Sequence, residues 1–546
     1  MELPLSPLAR RLCAVLVAGP AALAQCPSWS TSLGSLPEGQ VARDIVRFDV
    51  GLGAGPELFL AHSNSSQLSA QVGGVRRWNG SSWVETMPSA DNSVVALAIF
   101  DEGVGAKLYA ATEAGVMRLD GTMWTPLGPA NMRILALEVI DLGSGPRLHA
   151  AGTRTIFGYV PSVVRLDNGA WTDMTQNLSI GNSQAQALAV FDDGTGPGLY
   201  LGGRLNILGT DDLMGLCRLG PAGWTPVPMA FAATQDATVR SLLTLDLGQG
   251  PALFGAITYD PPGSMSLAAA VGRYDGSSWT LIGSPLPAGL LPSGTAFALA
   301  AFDDRATGKP ALFVSGTFDH VSGQSVDNVA RWDGTSWSAL TGGPGASSQS
   351  LIGLSAFEDG ASRPRLLVGG TIRDASGVVS SLVWTWDGCP IPGTTTCAGD
   401  GSATACPCGP GGAGRGCPHS VSPQGALLRA QGIASLAGDT LVLLGSEMPS
   451  GTALYFQGTT SDAGGMGVVF GDGLSCAGGT TARLGVKSNS AGSSSYPALG
   501  DRPISVQGSV GAPGPRTYQT WFRNAAAFCA PATFNLTNGL VVTWGA

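Results

Sequence analysis

The chain has 546 residues, 44% of them hydrophobic and 12% charged, with 80 glycines, 36 prolines and a formal net charge of −9. That is ample apolar material for a core but too much chain for one compact domain, and the glycine and proline content points to many turns. Lysine occurs only at Lys107, Lys309 and Lys487, so the clustered cations that phosphate contacts need are missing and nucleic acid is not an expected partner.

Residues 1–24 read as a secretory signal peptide: Arg10 and Arg11, an apolar run from Leu12, then Ala22, Leu23 and Ala24 before Gln25. The run is shorter than the roughly 20 residues of a spanning helix and is interrupted by Gly19 and Pro20, so no membrane span is expected in the mature chain. The expected location is secreted or cell surface.

Residues 25–390 are built from one recurring unit, seen most clearly at 187–227. It holds four short apolar runs, 187–191, 199–202, 216–219 and 224–227, separated by turn residues such as Asp192, Asp193, Gly194, Gly196 and Pro197. Short runs between Asp-Gly turns predict a four-stranded antiparallel sheet, with strands a, b, c and d and no room for crossover helices. Pro126 and Pro226 follow the tryptophan of strand d and, lacking an N–H, place that strand at the outer edge.

The strand-d tryptophans Trp83, Trp124, Trp171, Trp224, Trp279 and Trp337 are spaced by roughly 41 to 58 residues, which suits a propeller blade. A seventh copy begins near Leu351 and stops after Gly388 without a strand d. The missing strand matches Trp29 to Gly34, so the N-terminus is expected to complete the last blade and close the ring. The predicted fold is all-β: a seven-bladed β-propeller followed by a C-terminal β-sandwich-like domain.

Residues constant across the copies are expected to serve structure. This covers the tryptophans and the strand-c arginines Arg77, Arg118, Arg165, Arg218, Arg273 and Arg331, a series that Thr385 breaks. Asp192, Asp193, Asp303 and Asp304 beside glycines are read as hairpin residues, since one or two carboxylates per turn fall short of the six to eight oxygens calcium takes.

The b–c connections differ between copies. Their insertions carry Arg204, Asn206, Asp211, Asp212, Tyr259, Asp260, Phe318, Asp319, His320, Arg373 and Asp374, and all emerge on one face, which makes these residues the candidate ligand-binding set. Against that stands the reading that surface insertions cost little and carry no ligand.

The chain lacks a G-x-S-x-G elbow, an H-E-x-x-H zinc helix, a Walker phosphate loop and an S-x-x-K pair. Of the four histidines, His149 falls at a strand-b core position and His320 sits in an insertion beside Asp319.

Val314 to Phe318, Gly323, Asn328 to Gly334 and Trp337 form a pattern that resembles the kelch-like propeller repeats of secreted bacterial proteins, over roughly residues 26–389. The resemblance implies the fold and brings no catalytic residue. The segment with Ala405 to Cys408, Gly471 to Gly473, Tyr518 to Trp521 and Asn535 to Gly539 is similar to a C-terminal domain appended to many such proteins.

Residues 391–546 turn Gly-, Ser- and Cys-rich and then show apolar runs at 441–444, 453–456, 483–486, 504–506, 518–522 and 540–544, the pattern of a second β domain. Cys397, Cys406, Cys408, Cys417, Cys476 and Cys529 form an even set, for which export favours disulfides in one of fifteen pairings. Cys406, Cys408, Cys417 and His419 have zinc-ligand residue types at an unusual spacing, and neither a metal nor a cofactor is expected. Cys26 and Cys389 flank the ring closure and are expected to form a disulfide across it, leaving Cys217 as a buried free thiol. The alternative pairs Cys389 within the downstream set.

These features point to a non-enzymatic protein that recognises an extracellular polysaccharide or protein through propeller loops. One alternative is a glycoside-directed hydrolase or lyase using carboxylates such as Asp211, Asp319 or Asp374; another is a structural envelope component.

Overall fold

The structure, a computed structural model, describes residues 27–37, 39–51, 53, 55–64, 73–87, 93–155, 159–178, 183–207, 214–229, 237–259, 268–283, 294–305, 309–340, 343, 350–359, 363–373, 379–380, 382–388, 392–524 and 528–545. The signal-peptide reading of residues 1–24 therefore lies outside the described residues.

Seven antiparallel sheets of four strands follow one another along the chain, each in the order a-b-c-d. Sheet 1 is Gln40–Phe48, Glu57–Asn64, Gly74–Trp78 and Trp83–Glu85; sheet 2 is Val94–Asp101, Ala106–Thr112, Gly115–Asp120 and Met123–Gly128. Sheet 3 is Met132–Asp141, Pro146–Thr155, Tyr159–Asp167 and Ala170–Asp173; sheet 4 is Gln184–Asp192, Pro197–Leu205, Met214–Gly220 and Gly223–Pro226. Sheet 5 is Thr238–Asp246, Pro251–Tyr259, Ala268–Tyr274 and Trp279–Leu281; sheet 6 is Thr295–Phe302, Ala311–Thr317, Val329–Trp332 and Trp337–Ala339.

Sheet 7 takes its a, b and c strands from Ser350–Glu358, Pro364–Arg373 and Trp384–Asp387, and its d strand from Ser28–Ser30 at the other end of the chain. Trp29 lies opposite Trp386 there, as the sequence comparison anticipates. A two-residue strand, Val379–Ser380, adds to the tail of its strand b.

Strand a of each sheet packs on strand a of the next, and that of sheet 7 packs on that of sheet 1, so the sheets form a closed ring with the a strands innermost. Burial follows the same plan. Seven apolar clusters are each shared by two neighbouring sheets, for example Phe191, Tyr200 and Leu216 of sheet 4 with Val239, Leu253 and Trp279 of sheet 5.

The strand-d tryptophans bind neighbouring sheets together, as expected for a residue repeated in every copy. Trp83 Nε1 donates to the Leu33 carbonyl at 2.7 Å, Trp171 to Leu127 at 3.1 Å, Trp224 to Met174 at 2.9 Å, Trp337 to Ile282 at 3.1 Å and Trp29 to Leu340 at 3.2 Å. In each case the acceptor lies just beyond strand d of the preceding sheet, or at its end. Trp124 uses the Thr86 hydroxyl, whereas Trp279 Nε1 is buried without a partner.

The a–b turns close by hairpin chemistry. Asp101 Oδ1 accepts from the N–H groups of Gly103 and Gly105 at 2.7 and 2.9 Å, and Asp141 and Asp192 repeat the arrangement with their own glycine pairs. Gly103 and Gly105 have φ of 98° and 99°, a region that favours glycine.

Five of the six strand-c arginines pair with carboxylates at the same end of the ring: Arg77 with Glu57, Arg118 with Glu102 and Asp120, Arg165 with Asp167, Arg218 with Asp193, and Arg331 with Asp304. Where Thr385 interrupts the series, Arg365 from strand b takes over. Its Nε donates to Asp387 at 2.7 Å, and its Nη2 donates to Ser32, Thr385 and Ser30 at 2.7, 2.9 and 3.3 Å. One guanidinium thus ties strands b and c to the chain segment supplied by the N-terminus.

From Thr394 onward the strands form two main sheets and a small two-stranded one, Val468–Phe470 with Gly473–Ser475. Thr394–Thr396, Gly539–Trp544, Gly514–Arg523, Gly451–Ser461 and Ala477–Asn489 lie side by side, with Phe534–Leu536 attached; Leu427–Gln431, Val442–Ser446 and Ser494–Tyr496 make the second sheet. Both sheets contribute to one core containing Leu428, Leu443, Tyr455, Tyr496, Tyr518, Phe522 and Trp544, the packing of a sandwich. The apolar run at 504–506 is not a strand but one helical turn, Ile504–Gln507, that buries only Ile504.

The six cysteines of this region pair as Cys397–Cys476, Cys406–Cys417 and Cys408–Cys529. The zinc-type set is thereby consumed, and His419 is buried with its ring edge-on to Phe522 at 5.1 Å. None of the six is left for Cys389. Cys26 and Cys389 lie outside the described residues, while Cys217 is a buried free thiol whose pKa burial pushes up to about 12. Among the described residues no helix is long and apolar enough to cross a membrane.

Candidate binding face at the b–c end of the ring

The anticipated loop set does not behave as one surface. Asp211, Asp212, Asp260 and Asp374 lie outside the described residues, and Arg373 ends strand b of sheet 7 with its side chain undescribed. Arg204 is half-buried opposite Gln184, and Asn206 is half-buried with an unpartnered Oδ1.

Two of the expected contact residues are core. Phe318 is 1% exposed and Tyr259 5%, each inside an inter-sheet apolar cluster. Phe318 roots the sheet 6 insertion: its N–H donates to Asn328 Oδ1 at 2.9 Å, and its ring packs with Val321 and Val326 beneath the small hairpin His320–Val321 and Gln324–Ser325. A large apolar side chain at a loop's base gains more from the core than from water, so its position after strand b marked the root of the insertion and not its tip. His320 is exposed, with Nδ1 3.0 Å from Asp319 Oδ1.

The described residues at this end instead converge on the inner wall. In all seven sheets the a–b ladder shifts register at the same place, just after strand a begins: Ala42/Asp44, Val94/Ala96, Ile134/Ala136, Ala185/Ala187, Val239/Ser241, Ala296/Ala298 and Leu351/Gly353. A bulge leaves one residue out of the ladder and re-aims it. The residues so released are Arg43, Val95, Leu135, Gln186, Arg240, Phe297 and Ile352, all half-buried. Adjacent ones meet side by side, since the Arg240 guanidinium lies 5.4 Å from the centre of the Phe297 ring. Together they make a ring of bulge residues where strand a begins, the end from which the b–c connections leave.

Below that ring most strand-a positions are small or apolar, and the exceptions stand out. Asp44 replaces the Ala, Ser or Gly found at its level; its carboxylate accepts from Ile45 N–H at 2.8 Å and from Leu97 N–H of sheet 2 at 2.7 Å. Ser241 makes the corresponding bond to Leu299 N–H of sheet 6 at 3.2 Å. Asp44 therefore joins neighbouring sheets, and burial raises its pKa against the lowering effect of those hydrogen bonds.

Glu138, two residues further along in sheet 3, is exposed on the innermost strand yet surrounded by protein; desolvation first, and then the charge of Asp44, raise its pKa to about 7. Its cross-strand partner His149 is 1% exposed and takes the place of aromatic or leucine residues in the other sheets. Desolvation lowers the His149 pKa to about 4, as suits the packed role expected for it.

Among the described residues the guanidiniums at the ring of bulges lack acid partners. Arg43 Nε donates to the Ser63 hydroxyl at 2.6 Å, and burial together with the charge of Arg133 lowers its pKa to about 10. Arg133 itself reaches Glu113 at 3.5 Å. Arg240 has a buried Nε with no hydrogen-bond partner, and desolvation lowers its pKa. These residues were legible in principle: aligning the seven strand-a copies shows arginine at the bulge position only in sheets 1 and 5.

No family model matches the chain, and no curated protein does. Among solved structures it is similar to BBS1N in complex with ARL6DN, with 13% identity over 66% of this chain and 95% of that one and a TM-score of 0.36. It is also similar to the GH74 xyloglucanase from Xanthomonas campestris, with 10% identity over 60% and 80% of the two chains and a TM-score of 0.24. The fold is read from the strand pairing and needs neither likeness.

Proposed function

We propose that the chain is an exported kelch-like propeller, its ring spanning residues 25–390 and its sandwich 391–546, that binds an extracellular glycan or protein without transforming it. The observation that carries this reading is the contrast within each strand a. Positions that are apolar in most sheets become arginine, glutamine or glutamate in a few, and these gather at the b–c end and in the channel below it, where a repeat-wide structural need does not account for them.

Hydrolysis is the weaker reading. Glycoside chemistry needs two free carboxyl groups, and among the described residues of the inner wall Asp44 is committed to backbone N–H groups, which leaves Glu138; of the loop carboxylates, Asp211 and Asp374 lie outside the described residues and Asp319 is paired with His320. The test is a panel of polysaccharides applied to the secreted protein, with retention and product release both measured. Retention without product supports binding, and product release overturns it.

The same proposal includes a disulfide from Cys26 to Cys389. Ser28 lies opposite Asp387 in the antiparallel ladder, and in the sequence Cys26 stands two residues before the one and Cys389 two residues after the other, which supports the pairing. Non-reducing peptide mapping should recover that linked pair. A peptide joining Cys389 to any cysteine from Cys397 onward would refute it.

A further inference from the structure

We infer that the mouth of the channel at the b–c end is a site for a carboxylate-bearing ligand, with Arg43 and Arg240 as its cationic contacts and the neighbouring bulge residues as its wall. This deepens the proposed binding function and rests on it.

Four observations carry the site. First, the register shift is common to all seven sheets and sets the bulge residues apart from the ladder, so the scaffold presents seven side chains on a single ring. Second, the chain fills that ring unevenly: Arg43 and Arg240 stand in sheets 1 and 5, Gln186 in sheet 4, and Val95, Leu135, Phe297 and Ile352 complete it. A ring that served packing alone would have no use for two guanidiniums.

Third, the two differ in their partners from the arginines at the other end. Among the described residues no carboxylate lies within ion-pair distance of Arg43 or Arg240, whereas at the opposite end of the ring Arg77, Arg118, Arg165, Arg218, Arg331 and Arg365 all have acid partners. Fourth, Arg240 carries a buried, unpartnered Nε, a donor whose desolvation an incoming acceptor oxygen would offset. In a chain of net charge −9, leaving cations unpaired in a partly desolvated place is costly unless a ligand supplies the missing charge.

Guanidinium is well matched to carboxylate, which it grips through two parallel N–H donors. Phe297, already stacked with Arg240, and the aliphatic residues beside it offer an apolar surface of the kind a sugar ring's C–H face covers. The ligand chemistry is thus a carboxylate on a compact body, supplied either by a uronate-containing oligosaccharide or by a free polycarboxylate.

Calorimetric titration of the full mature chain tests this with tetragalacturonate, citrate, the neutral cellotetraose and polyglutamate. Saturable binding of tetragalacturonate or citrate, with cellotetraose not binding, is the expected result, and which of the two acids binds identifies the source. Arg43→Gln with Arg240→Gln should weaken that binding about tenfold or more while the melting curve stays in place, and raising salt from about 0.05 to about 0.5 M should weaken it in the unaltered protein.

If the double variant loses its fold, the single Arg240→Gln and the salt series still decide the matter. Equal binding of neutral and acidic sugars, or an unaltered affinity in the variants, overturns the inference while leaving glycan recognition standing. Binding of polyglutamate alone overturns it in favour of a protein partner. Failure of every ligand in both this titration and the polysaccharide panel removes the glycan form of the proposed function as well.

Discussion

The two ends of the ring are made from the same seven copies and yet differ in kind. At the a–b end, strand a finishes in Asp101, Asp141, Asp192, Asp246 or Glu358, or is followed directly by Asp49 or Asp303, and most strand-c arginines nearby find an acid partner. At the b–c end the connections differ in length and the bulge residues differ in charge. The turn chemistry and blade packing recur because each blade faces the same problem. Departures from the repeat are therefore informative only once the structural role of the position is known, as Arg365 and Phe318 illustrate.

The largest expected effect tests where the scaffold stops at the b–c end. Phe318→Ala should destabilise the protein by about 3 to 5 kcal/mol in a denaturant titration, the usual cost of truncating a buried phenylalanine. Its ring sits among Val314, Val321, Val326 and Trp337 in the cluster between sheets 5 and 6. A loss below about 1 kcal/mol would mean that the insertion root is not part of the core, and the contrast between the two ends would have to be drawn one residue earlier.

At the other end, Arg365→Ala should cost about 3 kcal/mol, since it leaves the buried carboxylate of Asp387 without its closest cation and releases the Ser32 hydroxyl of the N-terminal segment. The same change should raise protease sensitivity near residues 28–30. If the variant unfolds like the unaltered protein, Arg365 is not the clasp of ring closure and sheet 7 is held by its apolar contacts alone.

Much of this architecture was legible because repetition acts as an internal control. The Trp29 match to the strand-d tryptophans gave the borrowed strand, and Asp-Gly turns gave the strand order. The inner wall was not legible by the same reasoning applied to loops, because a bulge changes which side chain is released without leaving a distinctive residue: Arg43, Val95 and Phe297 share a position but no chemistry. Tyr259 and Phe318 misled for the opposite reason. They look like loop aromatics in sequence, and only the three-dimensional root of each insertion shows them buried.

His149 separates structure from function inside the channel wall. Its pKa is about 4 in the fold against about 6.5 unfolded, so below pH 6.5 the unfolded chain binds a proton that the folded chain refuses, and stability falls as pH drops towards 4. His149→Phe, which installs the residue found at this level in sheets 1, 5 and 6, should remove that contribution. The variant should gain on the unaltered protein by up to about 3 kcal/mol between pH 6.5 and pH 4, with little difference above pH 7. A pH-independent gap would place the histidine outside the titrating set. Glu138, with its pKa raised to about 7, acts in the reverse sense: the fold holds a proton that the unfolded chain has released above about pH 4.5, so its contribution is lost as pH rises towards 7.

The smallest effect is expected a few residues from the largest. His320 is exposed on the first strand of the hairpin whose root is Phe318, and its contact with Asp319 is a surface pair in water. Such pairs contribute roughly 0 to 1 kcal/mol, so His320→Ala should change stability by no more than about 0.5 kcal/mol. Phe318→Ala and His320→Ala thus bracket one insertion, and their difference measures how abruptly scaffold gives way to surface at this end of the ring. If His320→Ala destabilised the protein as much as Phe318→Ala, the hairpin would fold as one unit with the blade. Its tip would then be no freer to vary than the Asp-Gly turns opposite, and the division between a conserved-role end and a variable end would fail for sheet 6.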